Sequence, residues 1–435
     1  MKASVVFSDT LSDTKKGLAF SVAEIFDHFG GGKKILKESK DVYIKVNAVD
    51  LKKYCYTDPE VIRETILYFK AHGARNIFVI ENCTQGNFSR LVFKGTGIYR
   101  VCKETETIPI YLDETGSVPI YLDTLQSFID ISDFVHKNLI LEREKNLYIS
   151  IPKLKTHSMS QVSLSIKNQF GLVHQASRIA DHNFKLHQKF ADIYKVLRPD
   201  FALIDGILAT NHGHYIAEKY ASECIVNTNC LIGGIDPLAV DVVASSFLGY
   251  DLESVTHLQL CAKCGIGVDD INDIEIVNKH LYNSRKQKLT HKLLQKFPSD
   301  INFLRGKERC CVEGCRSNTE TLVEIFYADN NGKGGLTIIM GKGFDPKDID
   351  NINEPVHIAG SCAIEECGQK LKQRLGKNMV TMSSGCNNLA ASIHGICKQM
   401  KVHPLSLTKL NPISSLSALV TAKLKRTKAI IPPLL

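Results

Sequence analysis

Three short segments near the C-terminus place cysteines where the chain should turn: Arg309–Cys315 (RCCVEGC), Cys362 after the apolar run VHIAG, and Cys386 after MVTMSSG. Thiolates bind soft metals, and helix N-termini favour the thiolate form. Cys311, Cys315, Cys362 and Cys386 are therefore the expected ligands of a metal centre, with Cys310 and Cys367 near enough in sequence to take part. The spacing matches neither the ferredoxin run C-x₂-C-x₂-C-x₃-C-P nor two paired CxxC knuckles. Separate thiols on separate loops suit an iron–sulfur cluster, expected as 4Fe-4S, better than structural zinc. If only three thiolates bind, one iron stays open to substrate. The plain alternative is buried structural cysteines. Cys55, Cys83, Cys102, Cys224 and Cys230 read that way, and the lone pair Cys261-x₂-Cys264 reads as a packed helix end.

A second polar set lies mid-chain, in Ile151–His174 (IPKLKTHSMSQVSLSIKNQFGLVH). If the chain stays extended after Pro152, then Lys153, Lys155 and His157 share one face. Lys167 and Asn168 follow, and Lys45 and Asn47 end the run YIKVN on another strand. Several cationic donors beside one imidazole make a site for phosphate or carboxylate. Lys45, Asn47, Lys153, Lys167 and Asn168 are its expected binding residues. His157 and Lys155 are its expected acid–base groups, with Asp205, which ends FALID just before Gly206, as a third catalytic candidate. Asp236 reads as a helix cap. Asp241, inside the apolar PLAVDVVASSFLG, should be buried and need a partner, and it joins the binding set. His174, His182, His187, His212 and His214 are further acid–base candidates, each more often structural. A solvated basic loop is the plain reading of the whole segment, but its apolar residues interleave too regularly for that.

The elements that must hold these groups read as an α/β protein: a mostly parallel sheet domain followed by a second, smaller three-layer α/β domain. Over residues 1–280, strands are expected at Ala3–Phe7 (an edge strand), Asp41–Val46, Asn76–Glu81, Asn146–Ile151, Phe201–Ile204 and Cys230–Gly233. Thr57-Asp58-Pro59 starts a helix that Gly73 closes, and another runs from Asp236-Pro237 to about Leu248. Residues 281–307 lose the rhythm and read as a linker. Residues 308–411 resume it with three strands, Leu336–Met340, Val356–Ala359 and Met379–Met382, and helices Ser317–Tyr327, Glu365–Leu375 and Asn388–Met400. The tail, 412–435, contains a basic amphipathic helix, Leu416–Lys428, expected to pack on the body.

The 435 residues carry 54 basic and 46 acidic side chains, a mild excess with no basic stripe, so nucleic acid is not an expected partner. The start of the chain lacks the pattern of a signal peptide, and no apolar run approaches the ~20 residues of a membrane span. The chain therefore reads as cytoplasmic with no membrane partner, and in a reducing compartment clustered thiols are metal or redox groups more often than disulfides.

Taken together, YIKVN, TDPEVIRETILYFKAHGARNIFVIEN from Thr57, IPKLKTHSMSQVSLSIKNQFGL, LIDGI, DPLAVDVVASSFLGYD and CGIGVDDINDIEIV resemble, in order over about residues 1–278, the family called domain of unknown function 362. The resemblance implies a cytoplasmic protein of anaerobes, often joined to iron–sulfur modules, and no defined reaction. It is also distantly similar to nickel-pincer lactate racemases. Two departures stand out: NHGHY (Asn211–Tyr215) replaces the usual G-x-G-P stretch, and the cysteine-bearing α/β domain replaces the usual ferredoxin-type module. The expected function is an iron–sulfur redox enzyme acting on a small anionic substrate, with a redox partner protein. The alternatives are a non-redox racemase or lyase, and a protein that delivers a cluster or metal.

Overall fold

The computed structural model describes all residues except 1, 12–13, 39–40, 53, 85–86, 214–215, 291–294, 408–411, 426 and 428–435. Its strands are β1 (Ala3–Asp9), β2 (Asp41–Val46), β3 (Asn76–Glu81), β4 (Ile108–Tyr111), β5 (Ser117–Leu122), β6 (Ser127–Ser132), β7 (Asn146–Ile151), β8 (Lys153–His157), β9 (Gln161–Val162), β10 (Phe201–Thr210), β11 (Ile225–Gly234), β12 (Ile274–Val277), β13 (Ile301–Arg305), β14 (Leu336–Met340), β15 (Val356–Ala359) and β16 (Val380–Ser383). The large sheet runs β12-β1-β11-β10-β7-β2-β3-β4, with β8 beside β10 and β9 beside β8. β11 pairs antiparallel with β1 and β10, while β2, β3, β4, β7 and β10 are mutually parallel. The mostly parallel α/β class expected above is the observed one.

Helices cover both faces of this sheet, so its central strands are apolar almost throughout. Val42, Ile44 and Val46 face one layer with Val61, Ile66 and Phe69, from the helix Pro59–Ala71. Tyr43 faces the other, with Leu164, Ile166, Phe170 and Phe190. Alternation puts Lys45 on the side of Tyr43, deep inside that second layer. The helix Pro59–Ala71 starts as its sequence dictates: Asp58 accepts from the Glu60 N–H and Pro59 opens the first turn.

The small domain is a four-stranded parallel sheet, β13-β14-β15-β16, between two helical layers. The helices Ser317–Asn330 and Leu389–Gln399 supply Leu322, Phe326 and Ile396 to one layer, and Leu371 of Gln369–Leu375 lies in the other.

Several expectations need correction. β1 is not an edge strand, because β12 covers its outer side. The segment expected as a linker, 281–307, is not free of structure. Lys279–Arg285 is a helix against the large sheet, and β13 adds a fourth strand to a domain expected to have three. INFLR gives no clear alternation, because its alternate faces are not cleanly buried and exposed. β10 and β11 extend well beyond their expected ends, and the hairpin β5–β6 was not expected. In the tail, the observed helix is Pro412–Leu424, packed beside Ser89–Thr96 with Ala418 buried; residues 426 and 428 of the expected helix lie outside the described residues. Among the described residues no helix is long and apolar enough to cross a membrane.

Candidate functional site

Parallel strands expose their carboxyl ends as a place for ligands. Here the ends of β2, β3 and β8 face the loop after β16 across a cavity of about 110 Å³. That is room for several waters or a small organic ion. Lys45 and Asn47 enter from β2, Glu81 and Asn82 from β3, and Lys155 and His157 from β8. Lys167 and Asn168 come from the helix Leu164–Asn168, Gln175 and Arg178 from Gln175–Ala180, and Asn318 and Ser384–Leu389 from the small domain. Hydrogen bonds fasten the two domains around this space. Asn183 Nδ2 donates to the Cys386 carbonyl at 2.8 Å, Ser317 Oγ to that of Ser158 at 2.8 Å, and Asn388 Nδ2 to that of Ile179 at 3.1 Å.

The floor is a closed polar network. Lys45 Nζ donates to Glu81 Oε1 at 2.5 Å and to the Val46 carbonyl at 2.8 Å. Glu81 also accepts from the Ala48 and Asn82 N–H groups, at 2.6 and 2.7 Å. Lys155 Nζ donates to Asn47 Oδ1 at 2.7 Å and to the Cys55 carbonyl at 3.2 Å. Asn168 links both halves, donating to the Lys45 carbonyl and to Ser150 Oγ.

Above this floor, positive charge is less well met. Burial pulls Lys45 below its ordinary range, against the Glu81 charge. Burial takes Lys155 down to about 8. Lys167 has no hydrogen-bond acceptor among the described residues and sits 5.3 Å from the Phe190 ring centre; burial, then the charges of Lys155, Arg178 and Lys45, takes it down to about 7. Arg178 donates through Nη2 to the Cys83 carbonyl at 2.9 Å, but its Nε is buried without a partner. Both amide atoms of Gln175, Asn82 Oδ1 and Asn318 Oδ1 are likewise buried and, among the described residues, unpartnered at the cavity wall. His157 Nδ1 accepts from the Met159 N–H at 3.1 Å, which leaves the proton on Nε2 of the neutral ring. His182 also lines the space, and burial drops it to about 3, so it is neutral there.

The structure thus brings Lys45, Asn47, Lys155, His157, Lys167 and Asn168 together, and leaves Lys153, Asp205 and Asp241 outside the cavity. The register of β8 against β10 jumps between Lys153–Asp205 and Lys155–Thr210, so the three residues expected on one face do not share it. Lys153 instead pairs with the fully buried Asp205 at 2.9 Å, and Asp205 also accepts from the Asp58 N–H at 2.7 Å and the Ile207 N–H at 3.1 Å. Asp241 accepts from the Ser165 and Ile166 N–H groups at 2.8 and 2.7 Å, fixing the start of the helix that carries Lys167. His174 caps the next helix, His187 stacks on His257 with ring centres 5.9 Å apart, and His214 lies outside the described residues.

Asp241 makes a pH prediction. Burial pushes its carboxyl up to about 8, so the fold favours the protonated form. A raised carboxyl stabilises the fold below its unfolded value of ~4 and loses that contribution as pH rises through the folded value. Unfolding free energy from urea titrations should therefore decline between pH ~4 and 8, and Asp241→Asn should flatten that slope. An unchanged slope would assign it to other groups.

The thiols form a second group behind the loop after β16. Arg309 Nε donates to Cys311 Sγ at 3.0 Å. That bond first, then the Cys311, Cys362 and Cys386 charges, raises the Arg309 pKa. Cys315 is buried and pushed up to about 12, first by burial and then by Cys310, Cys311, Cys362 and Cys386. Cys386, also raised by burial, feels Cys311 and Cys362 and lines the cavity. Cys362 is exposed. So Cys310, Cys311, Cys315, Cys362 and Cys386 occupy one neighbourhood, whereas Cys367 turns inward to the Ala363 carbonyl at 3.1 Å. Among the described residues no three His, Cys, Asp or Glu side chains are placed to hold a metal ion.

Residues 42–246 match the model of a family described as domain of unknown function (DUF362). Two solved structures are similar to the whole chain. The lactate racemase apoprotein from Thermoanaerobacterium thermosaccharolyticum is 11% identical with a TM-score of 0.40, over 100% of this chain and 94% of that one. A structural-genomics protein from Thermotoga maritima is 11% identical with a TM-score of 0.35, over 90% and 83%. No curated protein matches.

Within the matched residues, sequence reasoning passed over Glu81, Asn82, Gln175 and Arg178. Glu81 ends NIFVIE as Asp205 ends FALID, and that shared position was the available signal; Gln175 and Arg178 lie on a short helix with no motif. Gly171 has a definite reason. A Cβ there would lie 2.8 Å from Lys45 Nζ and 2.9 Å from Glu81 Oε1. Gly171→Ala should displace the ion pair, cost about 1–3 kcal/mol by overpacking and weaken anion binding, as read by urea unfolding and by phosphate titration.

Proposed function

We propose that the protein is a cytoplasmic enzyme that binds a small carboxylate or phosphate in the cavity between its two sheets, beside an iron–sulfur cluster on Cys311, Cys315, Cys362 and Cys386. The observation that carries the anion half is the unmet polarity of the wall. Among the described residues, Arg178 Nε and both Gln175 amide atoms are buried without partners, the half-buried Lys167 has no acceptor, and the buried Glu81 is committed to Lys45. Buried polar groups of this kind are normally satisfied by a ligand or water. The cluster half is supported by the shared neighbourhood of the thiols and by Cys386 facing both it and the cavity. When bound, such a cluster supplies one-electron chemistry. The chain's own residues hold the substrate: Arg178 and Lys155 offer charged donors to its oxygens, and the neutral His157 and His182 rings stand where a proton is exchanged. A redox partner protein would deliver the electrons.

A second reading, acid–base chemistry with structural cysteines, is favoured by Lys155 and Lys167, which burial brings near neutrality. Anaerobic purification followed by iron and sulfide analysis and EPR separates the two. A colourless, iron-free protein with full activity would sink the cluster. Calorimetric titration with inorganic phosphate and with pyruvate tests the anion site, using Arg178→Gln and Lys155→Met as controls. Native protein that binds neither anion would overturn that half.

A further inference from the structure

Resting on the anion-site reading, we propose that Lys167 is a covalent catalytic lysine whose Nζ condenses with the carbonyl carbon of a 2-oxo acid held by its carboxylate on Arg178 and Lys155. Three observations lead there. Lys167 projects into the cavity from a short helix fixed at its start by Asp241, so the amine is placed by a buried anchor. It has no hydrogen-bond or carboxylate partner among the described residues, and the Phe190 ring 5.3 Å away holds an ammonium only weakly. Of the other cavity cations, Lys45 is paired with Glu81, while Lys155 and Arg178 bond only neutral acceptors (Asn47 Oδ1 and the Cys55 carbonyl; the Cys83 carbonyl), so their charges stay available to a carboxylate. A desolvated lysine beside other cations is the environment that produces a nucleophilic amine, and its lowered pKa agrees.

The step balances without an oxidant or a reductant. The Nζ lone pair forms the C–N bond, the carbonyl π pair moves to oxygen, and a proton from nitrogen completes the carbinolamine. Loss of that hydroxyl with the second amine proton releases water and leaves the C=N imine. The substrate carboxylate stays on Arg178, whose unpartnered Nε and bonded Nη2 present a fork to it. Such an imine makes the adjacent C–H or C–C bond acidic or labile, so the class of reaction it serves is proton transfer or cleavage next to the carbonyl.

The experiment is borohydride trapping. Native protein incubated with pyruvate and reduced with sodium borohydride should gain one reduced pyruvyl group, mapped by peptide mass spectrometry to Lys167. Lys167→Arg, whose guanidinium cannot form the imine, should lose the adduct. No adduct in native protein that binds phosphate, or an adduct mapped to Lys155 or to surface lysines, overturns the covalent assignment and leaves the anion site standing. Native protein that binds neither phosphate nor pyruvate overturns the anion reading itself and this inference with it.

Discussion

Glu81→Gln should lower the unfolding free energy by about 3–5 kcal/mol at neutral pH, the range for removing one partner of a buried ion pair. Lys45 and Glu81 are each 1% exposed, and glutamine keeps the shape while removing the charge that compensates Lys45. The amide also turns a donor toward groups that now donate to Glu81, namely the Ala48 and Asn82 N–H groups and Lys45 itself. Lys45 must then fold either charged and unpaired or neutral. Its folded pKa falls further below the unfolded ~10.4, so the penalty is largest at low and neutral pH and shrinks as pH rises toward that value. Urea unfolding at pH 7 and pH 9.5 reads both effects. The double variant Lys45→Met/Glu81→Leu should recover much of the loss, because replacing both partners with apolar groups is often close to neutral. It should also fail to bind phosphate tightly, since the pair fixes the cavity floor. A single variant as stable as the native protein would mean that water, rather than Glu81, solvates Lys45.

The ion pair also shows where sequence reading succeeds and where it stops. The limits of β2, β3 and β7 are legible because strands buried on both faces read as continuous apolar runs, and a lysine in such a run must have a purpose. The placement of Lys45, Asn47, Lys155, His157, Lys167 and Asn168 around one space follows from strand ends and one segment. What could not be read is long-range register. Lys153 and Lys155 are two residues apart, yet β10 advances five residues between their partners, Asp205 and Thr210, so one lysine pairs in the core and the other enters the cavity. Alternation cannot foresee a bulge in a neighbouring strand. Gln175, Arg178 and Asn318 were invisible for a different reason. Their significance lies in what they fail to bond, and an unmet donor exists only once the surrounding fold is known. The small domain was legible in its helices and in β14, β15 and β16, but β13 lies before the cysteine turn and, among the described residues, pairs with β14 alone.

The second large effect is expected at Asn387, the residue that ties the Cys386 loop to both domains. It is fully buried. Its Oδ1 accepts from Ser383 Oγ at 2.6 Å and from Ser392 Oγ, and its Nδ2 donates to Thr319 Oγ1 at 3.0 Å and to the Cys315 carbonyl at 3.3 Å. Its own carbonyl accepts from Asn318 at 3.1 Å and from Asn183, across the domain boundary, at 3.4 Å. The backbone there has φ of 66°, a region that asparagine tolerates and alanine resists. Asn387→Ala leaves several buried groups without partners, each worth about 1–3 kcal/mol, and should cost at least about 3 kcal/mol in total. Asn387→Gly loses the same hydrogen bonds but accepts the backbone angle, so it should be the more stable of the two by about 1 kcal/mol. Because the Cys315 carbonyl loses its donor in both, the buried Cys315 thiol should alkylate faster relative to the already exposed Cys362. Unfolding curves measure the first effect and mass-resolved alkylation rates the second. If stability falls while Cys315 keeps its native protection, Asn387 supports the small domain as a whole and does not set the position of the thiols.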